Sequence, residues 1–451
     1  MVLRPRRAAF VGYVGGFLFF ALDCTWLGET AGALIAPFGF VFDLVPALIE
    51  ATAFGVTAYV VALATQRLHP LAVPFVAAAT FTATEWIRSI GVMGAPLYMI
   101  GSPFVQTKLA PLAAFAGNAG ITFAITLIAA TLALLAIERS RAAIALCLGS
   151  IALVALCASV AWYAWPARTL GSATIRVAAV QGNIMQDVKW KPGALERAVE
   201  RYTSMTLALR AFKPQFVLWP ETVITTRLSY DPTLQAGFAR LARSLNTTLA
   251  VGSIEDSGAA YYNSLFFYDH GGNMIRTYRK RQLVPFVEFL PGPHWLRALP
   301  GAKLVSDFGI GDDATPIDST LHIAPLICWE SAFGDLAQTQ SAAGASIFAI
   351  ATDDAWFGMS DGPYWHAQIA SLRAIETGRW IVRAAATGIS GIIAPDGSWH
   401  GRSELGTQET ITGYVGAPQP TFFSRVGPTP LGLLASALAL GLFYFARKKL
   451  A

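Results

Sequence analysis

Long apolar runs fill the first third of this chain and return once near its end. They cover 8–23, 47–66, 70–90, 117–137 and 142–165, with a sixth at 429–446. A spanning helix needs about 20 apolar residues, so each run is read as a membrane span. The stretch 31–46 is apolar too, but it holds Pro37, Asp43 and Pro46. It is read as a re-entrant, interfacial or broken-helix piece, because irregular backbone at membrane depth needs protein or water beside it.

After the fifth run the pattern changes to that of a globular domain. Short apolar runs at 175–184, 215–221, 247–254, 263–269, 321–330, 345–352 and from Trp380 to Ala394 predict strands. Between them, 192–212, 232–245 and 363–379 repeat their apolar positions with helical period. Several strands are apolar throughout, which implies cover on both sheet faces and hence an α/β layered domain. The Gly/Pro-rich stretch 291–316 reads as a long loop, of the kind that forms lids or binding loops. The expected organisation is a helical membrane domain over 1–168, a globular domain over 172–420 and a last span over 429–447.

Composition agrees. The chain is 54% hydrophobic and 14% charged, against about 25% charged in soluble domains. The net charge is +5, and Arg4, Arg6, Arg7, Arg447, Lys448 and Lys449 flank apolar runs. These read as topology signals rather than a nucleic-acid surface. With the N-terminus in the cytoplasm, Arg67 and His69, Arg139 and Arg141, and the basic tail all fall on that side. The domain 172–420 then lies outside. The N-terminal run lacks a clean cleavage site and more apolar segments follow, so it is read as a span and not a leader. Glu85 and Arg88, near the outer end of the third run, read as residues snorkelling to the interface.

Of four cysteines, Cys24, Cys147 and Cys157 lie in apolar segments as small core hydrophobes. No CxxC or HExxH spacing occurs, so neither a disulfide framework nor a metal site is expected. Cys328 differs, ending an apolar strand in LICWES. A thiol is already a strong nucleophile, and a nearby base or cation raises its thiolate fraction. Glu221 ends another strand in VLWPET, where partial desolvation suits a general base. Lys280, in YRKRQLVPFVEF, is a cation able to hold an oxyanion. Glu288 follows it. Glu330, two places after Cys328, would share its strand face if the chain stays extended. Either glutamate could orient Lys280 or bind substrate. Taken singly, each residue also has a plain structural reading: a buried thiol, a turn carboxylate, a solvated charge run.

Together with their neighbours these segments resemble the nitrilase superfamily, and within it the apolipoprotein N-acyltransferases of Gram-negative envelopes. The resemblance is carried by AVQGNI (179–184), Lys189–Trp190, WPE (219–221), YRKRQLVPFVEFLP (278–291), ICWES (327–331), TDDAWFG (352–358) and 362–391. It extends more loosely to TEWIRS (84–89) and LAAFAGNAGITF (112–123). It implies a multi-span helical domain joined to an α-β-β-α sandwich. It implies Glu221 as general base, Lys280 as oxyanion stabiliser and Cys328 as nucleophile. Glu288 matches a supporting glutamate, Trp190 an aromatic residue near the entrance that handles substrate, and Glu330 the glutamate after the nucleophile. The implied reaction is ping-pong without metal or cofactor. A phospholipid gives an acyl group to Cys328, and the thioester passes it to the α-amine of a lipid-modified N-terminal cysteine on a lipoprotein. The site would face the periplasmic side of the inner membrane.

Three positions depart from the family pattern. Trp329 replaces a tyrosine, Val287 a glycine and Asp353 an asparagine. The five spans before the globular domain are also fewer than the family's usual number. A specialised paralogue associated with conjugative transfer keeps the same acyl-cysteine chemistry and fits these departures. A membrane-tethered amidase or nitrilase-type hydrolase shares the triad, and a non-catalytic envelope scaffold would not need it.

Overall fold

The computed structural model describes residues 3–28, 41–165, 172–298, 305–319 and 321–448. The chain divides into two compact units, Met1–Arg168 with Thr421–Ala451, and Thr169–Pro420.

The first unit is helical. Helices α1 (Pro5–Asp23), α2 (Val41–Arg67), α3 (Val73–Arg88), α4 (Ala113–Glu138) and α5 (Arg141–Ala164) follow in order, and a last helix, Thr429–Lys448, returns to them. Among the described residues, four segments are long and apolar enough to cross a membrane: Leu44–Arg67, Pro70–Arg88, Ala110–Glu138 and Arg141–Ala164. Five were expected before the globular domain. The difference is α1, which takes Pro5, Arg6 and Arg7 into its first turn and so dilutes its apolar length. The C-terminal helix has a shorter apolar part, Thr429–Tyr444. Of the stretch 31–46, residues 31–40 lie outside the described residues, and 41–46 open α2 with Pro46 inside it.

Small residues let α1 lie close along α2. A Cβ on Gly12 would stand 2.6 Å from that of Ala58, and one on Gly16 2.8 Å from Phe54. Glycines at helix crossings allow such approach where no hydrophobic force separates protein from lipid. Glu85 and Arg88 do not snorkel. Glu85 is buried, and its carboxylate accepts from the Ile100 N–H at 2.7 Å and the Thr122 hydroxyl at 2.6 Å. Arg88 pairs with Glu50 of α2 and donates to the Leu97 carbonyl at 2.7 Å. A charge at this depth is stable only when paired within the protein. Its partners come from α2, α4 and the loop after α3, so no local sequence pattern showed them.

The second unit is a sandwich of two sheets between helices. Its strands are β1 (Ala173–Gln181), β2 (Phe216–Leu218), β3 (Ile224–Arg227), β4 (Thr248–Asp256), β5 (Tyr261–Tyr268), β6 (Met274–Arg279), β7 (Ile317–Asp318), β8 (His322–Ile327), β9 (Ile347–Thr352), β10 (Trp380–Ala385), β11 (Gly391–Ile393), β12 (Trp399–Arg402) and β13 (Glu409–Gly416). One sheet runs β13-β1-β2-β4-β5-β6, with β3 on β4, and the other runs β12-β11-β10-β9-β8-β7. Helices α6 (Gln186–Lys189), α7 (Ala194–Leu207), α8 (Pro232–Leu245), α9 (Gly334–Ala342) and α10 (Gly362–Thr377) join them.

Alternation assigns the layers. Phe216 and Leu218 of β2 pack with Ile323, Ile347 and Val382 between the sheets. Val217, between them in sequence, packs with Tyr202 of α7 and Phe238 of α8. On the far side Phe348 and Ile350 of β9 meet Ala337 of α9 and Ala370 of α10. Each central strand is thus covered on both faces, which is why it reads as an unbroken apolar run. The order is α-β-β-α. Neighbours β1, β2 and β4 are parallel, as are β8, β9 and β10. Open parallel strands gather ligand-binding side chains at their carboxyl ends.

Candidate active site

Three of those carboxyl ends build one cluster. Glu221 lies three residues past β2, Cys328 directly follows β8, and Asp353 follows β9. Pro220 has no N–H to extend the β2 ladder, and the chain turns there with Thr222 at φ +48°. Cys328 opens a tight 3-10 turn, Cys328–Ala332, at φ +50°. A non-glycine residue in this region costs about 1–3 kcal/mol and persists only where its surroundings hold it.

Lys280 follows β6, with its N–H bonded to the Asn263 carbonyl at 2.8 Å. Its ammonium lies 3.1 Å from Glu221 Oε1 and 2.9 Å from Glu288 Oε2. Asn263 Nδ2 donates to both carboxylates, at 2.6 Å to Glu221 and 2.9 Å to Glu288. The second oxygen of Glu221 accepts the Asp353 N–H at 2.8 Å, and that of Glu288 accepts the Val284 N–H at 2.9 Å. Glu221, Lys280, Glu288 and Asn263 are all buried. This is a fully bonded network, the condition on which buried charge is tolerated.

The electrostatics fix the resting protonation. Burial pushes the Glu221 carboxyl up, but the Lys280 charge, the Asn263 amide and Lys189 outweigh it and hold it below its usual value of 4.5. Burial would lower Lys280, but Glu221 and Glu288 raise it well above its ordinary value. Burial, and then the Glu221 charge, push the Cys328 thiol up, with Lys280 opposing. The resting site is therefore an ionised carboxylate, an ammonium and a neutral thiol.

Glu330 sits apart from this cluster. The expected strand 321–330 ends at Ile327, and the turn at Cys328 carries Glu330 off the strand face. Its carboxylate accepts from the Tyr278 hydroxyl at 3.0 Å, the Arg281 N–H at 2.6 Å, the Gln282 N–H at 3.2 Å and the Ile327 N–H at 2.6 Å. It thereby ties the backbone next to Lys280 to the backbone before Cys328.

Trp329 packs half-buried against Phe333 and Trp365. Val287 is half-exposed and leaves Glu288 in place. Trp190 is 56% exposed and is not bonded to the Glu–Lys–Cys group. Its ring centroid lies 6.0 Å from Lys189 Nζ, and Lys189 is itself buried in an ion pair with Asp353 at 2.5 Å. Sequence reasoning missed Asn263, which looked like the polar start of a strand. It also missed Lys189 as the counter-charge that accompanies the aspartate at 353. Among the described residues no group of three or more His, Cys, Asp or Glu is placed to hold a metal ion.

Comparison with known proteins covers nearly the whole chain. Residues 176–417 match the carbon-nitrogen hydrolase family, and residues 1–131 match the apolipoprotein N-acyltransferase N-terminal domain. Apolipoprotein N-acyltransferase of Shewanella oneidensis is 30% identical over 97% of this chain and 87% of its own length. That of Azotobacter vinelandii is 32% identical over 87% and 78%, and that of Nitrosomonas europaea 31% over 99% and 91%. With four helices able to cross a membrane and a sandwich that ends in a Glu–Lys–Cys cluster, this multi-pass membrane protein belongs to the apolipoprotein N-acyltransferase family of carbon-nitrogen hydrolases.

Proposed function

We propose that this protein moves a fatty acyl group from a phospholipid, through a thioester on Cys328, to the α-amine of the diacylglyceryl-modified N-terminal cysteine of apolipoproteins. The observation that carries this reading is the buried ionised Glu221 bonded to Lys280, within electrostatic reach of a neutral Cys328 thiol. That arrangement sits in a chain that also spans the membrane where both substrates reside.

Glu221 accepts the thiol proton as Cys328 Sγ attacks the ester carbonyl. The transfer is uphill in the resting site. It becomes favourable as negative charge moves to the carbonyl oxygen, where Lys280 stabilises it. Collapse of the tetrahedral intermediate breaks the ester C–O bond. The lysophospholipid alkoxide leaves with the proton returned by Glu221-H. Glu221 then takes a proton from the incoming amine as nitrogen attacks the thioester, and when the C–S bond breaks it returns that proton to the sulfur and restores the thiol. Glu288 and Asn263 hold Lys280 and Glu221 in register throughout. Glu330 fixes the two backbone segments that carry Lys280 and Cys328. Trp190, exposed near Lys189, and Trp329, on the nucleophile turn, are proposed substrate contacts.

The proposed placement is the bacterial inner membrane, with 172–420 on the periplasmic side, anchored by 1–168 and 429–447. The test is a transfer assay in mixed micelles of labelled phospholipid and diacylated lipopeptide. Cys328→Ala abolishes transfer, and Glu221→Gln slows it by about 10²–10⁴-fold, the usual range for a general base. Substantial turnover by Cys328→Ala would sink the assignment of the nucleophile.

A further inference from the structure

A second buried charged chain lies under the nucleophile turn, and the chemistry above makes no use of it. Arg383 of β10 donates through Nη2 to Asp354 Oδ2 at 2.7 Å and through Nε to the Ile389 carbonyl at 3.0 Å. Asp354 Oδ1 accepts the Thr352 hydroxyl at 2.7 Å and meets His366 Nδ1 at 2.8 Å. On the other side of the ring, His366 Nε2 lies 2.9 Å from Ser331 Oγ and 3.1 Å from the carbonyl oxygen of Cys328. Ser331 Oγ donates to that same carbonyl at 2.8 Å. Arg383, Asp354, His366 and Ser331 are each no more than 1% exposed.

Such a chain is a poor choice for packing alone. Apolar side chains of similar volume are often as stabilising as a buried ion pair, or more so. Its far end is one atom, the main-chain carbonyl of the residue at φ +50°. Burial pushes the Asp354 carboxyl up, but Arg383 and His366 hold it down at about 2. Asp354 is thus ionised at neutral pH, and the nitrogen facing it carries a proton. The carboxylate holds the imidazole from one side, and on the other side Nε2 lies within hydrogen-bond reach of Ser331 Oγ and of the Cys328 carbonyl.

We propose that His366, backed by Asp354 and Arg383, is a positioning residue that sets the peptide following Cys328 for acyl transfer. The Cys328–Trp329 peptide is planar, with its C=O and N–H opposed. Fixing the carbonyl against His366 and Ser331 therefore turns the Trp329 N–H away from them. This N–H is among the first of its turn, and such groups have no acceptor within the turn. It is then free to donate to the developing oxyanion alongside Lys280. The inference rests on Cys328 as the acyl-accepting nucleophile.

The test compares two reactions of the same thiol in the full-length, detergent-solubilised protein. Attack on p-nitrophenyl butyrate builds an oxyanion, whereas alkylation by iodoacetamide does not. His366→Ala should slow burst acylation by about 10- to 100-fold, within reach of losing one oxyanion donor. Alkylation of Cys328 should stay close to wild type, and His366→Gln, which keeps a donor, should recover part of the acylation rate. Should His366→Ala fail to fold, Ser331→Ala removes one bond to the same carbonyl and keeps the charged chain. The same split between the two rates is expected of it. Parallel loss of both reactions, or no change in either, overturns the positioning role. Wild-type protein that accepts the butyryl group but no acyl group from phospholipid would refute the lipid substrate and leave this inference standing.

Discussion

Glu330 shows how one side chain fixes the geometry of two others. Its carboxylate collects three backbone N–H groups and a phenol, drawn from the segment that bears Lys280 and the strand that ends at Cys328. Glu330→Gln turns an N–H₂ toward donors and leaves some of them unpaired, at a cost of about 1–3 kcal/mol. The melting temperature should fall by roughly 2–12 °C at about 2–4 °C per kcal/mol, and the acylation rate should fall with it. An unchanged melting curve would show that the tie is dispensable. Asp353 acts on Glu221, the proposed base. Its N–H bonds Glu221, and its side chain balances Lys189. Glu221 ionises below its ordinary value, so it stays a base until the pH falls through that depressed pKa. Asp353→Asn removes a negative neighbour and unmasks a positive one, and both changes lower Glu221 further. The acidic limb of the kcat/KM profile should move to lower pH, and a move upward would contradict the account. Sequence alone exposed Glu221, Lys280 and Cys328 because each ends an apolar run or sits in a motif. Asn263, Asp354 and His366 stayed hidden because their partners are distant in sequence and their meaning lies in contacts.

At the scale of elements, the most legible pieces were those buried on both faces. Strands β2, β4, β8 and β9 read as apolar runs because a sheet lies on one side and a helix on the other. Strand β6 is exposed at Met274 and Ile275 and β13 at Glu409, Thr412 and Tyr414, both carry polar side chains, and neither was recognised. The run from Trp380 to Ala394 looked like one strand and is two, β10 and β11, paired antiparallel. The strand into Cys328 was placed correctly and its end was not. A residue at φ +50° has no signature when it is not glycine, and this one persists because Glu330, Ser331 and His366 hold its turn. Among the helices, close packing of α1 on α2 predicts that Gly16→Leu, placed where even a Cβ stands 2.8 Å from Phe54, destabilises the detergent-solubilised protein by about 1–3 kcal/mol, the usual cost of overpacking. A melting temperature equal to wild type would show that the two helices do not depend on this contact.

For the whole molecule, the proposed function joins a thiol acyl site to a membrane anchor. Four apolar segments of membrane-spanning length have no purpose for an enzyme of soluble amides, and they suit one whose donor and acceptor are both lipids. Composition and the positions of the basic residues showed that division of the chain directly. The count of spans was less accessible, since arginines inside the first turn of α1 blur the boundary between flank and span. The most direct test of the central claim is intact-mass spectrometry of the protein after exposure to phospholipid, beside Cys328→Ala. The account predicts a mass increase of one fatty acyl group that requires Cys328 and disappears when diacylated lipopeptide is added, with the acyl group recovered on the lipopeptide amine. A wild-type protein that gains no acyl mass from any phospholipid, or a Cys328→Ala protein that gains it equally, would contradict it.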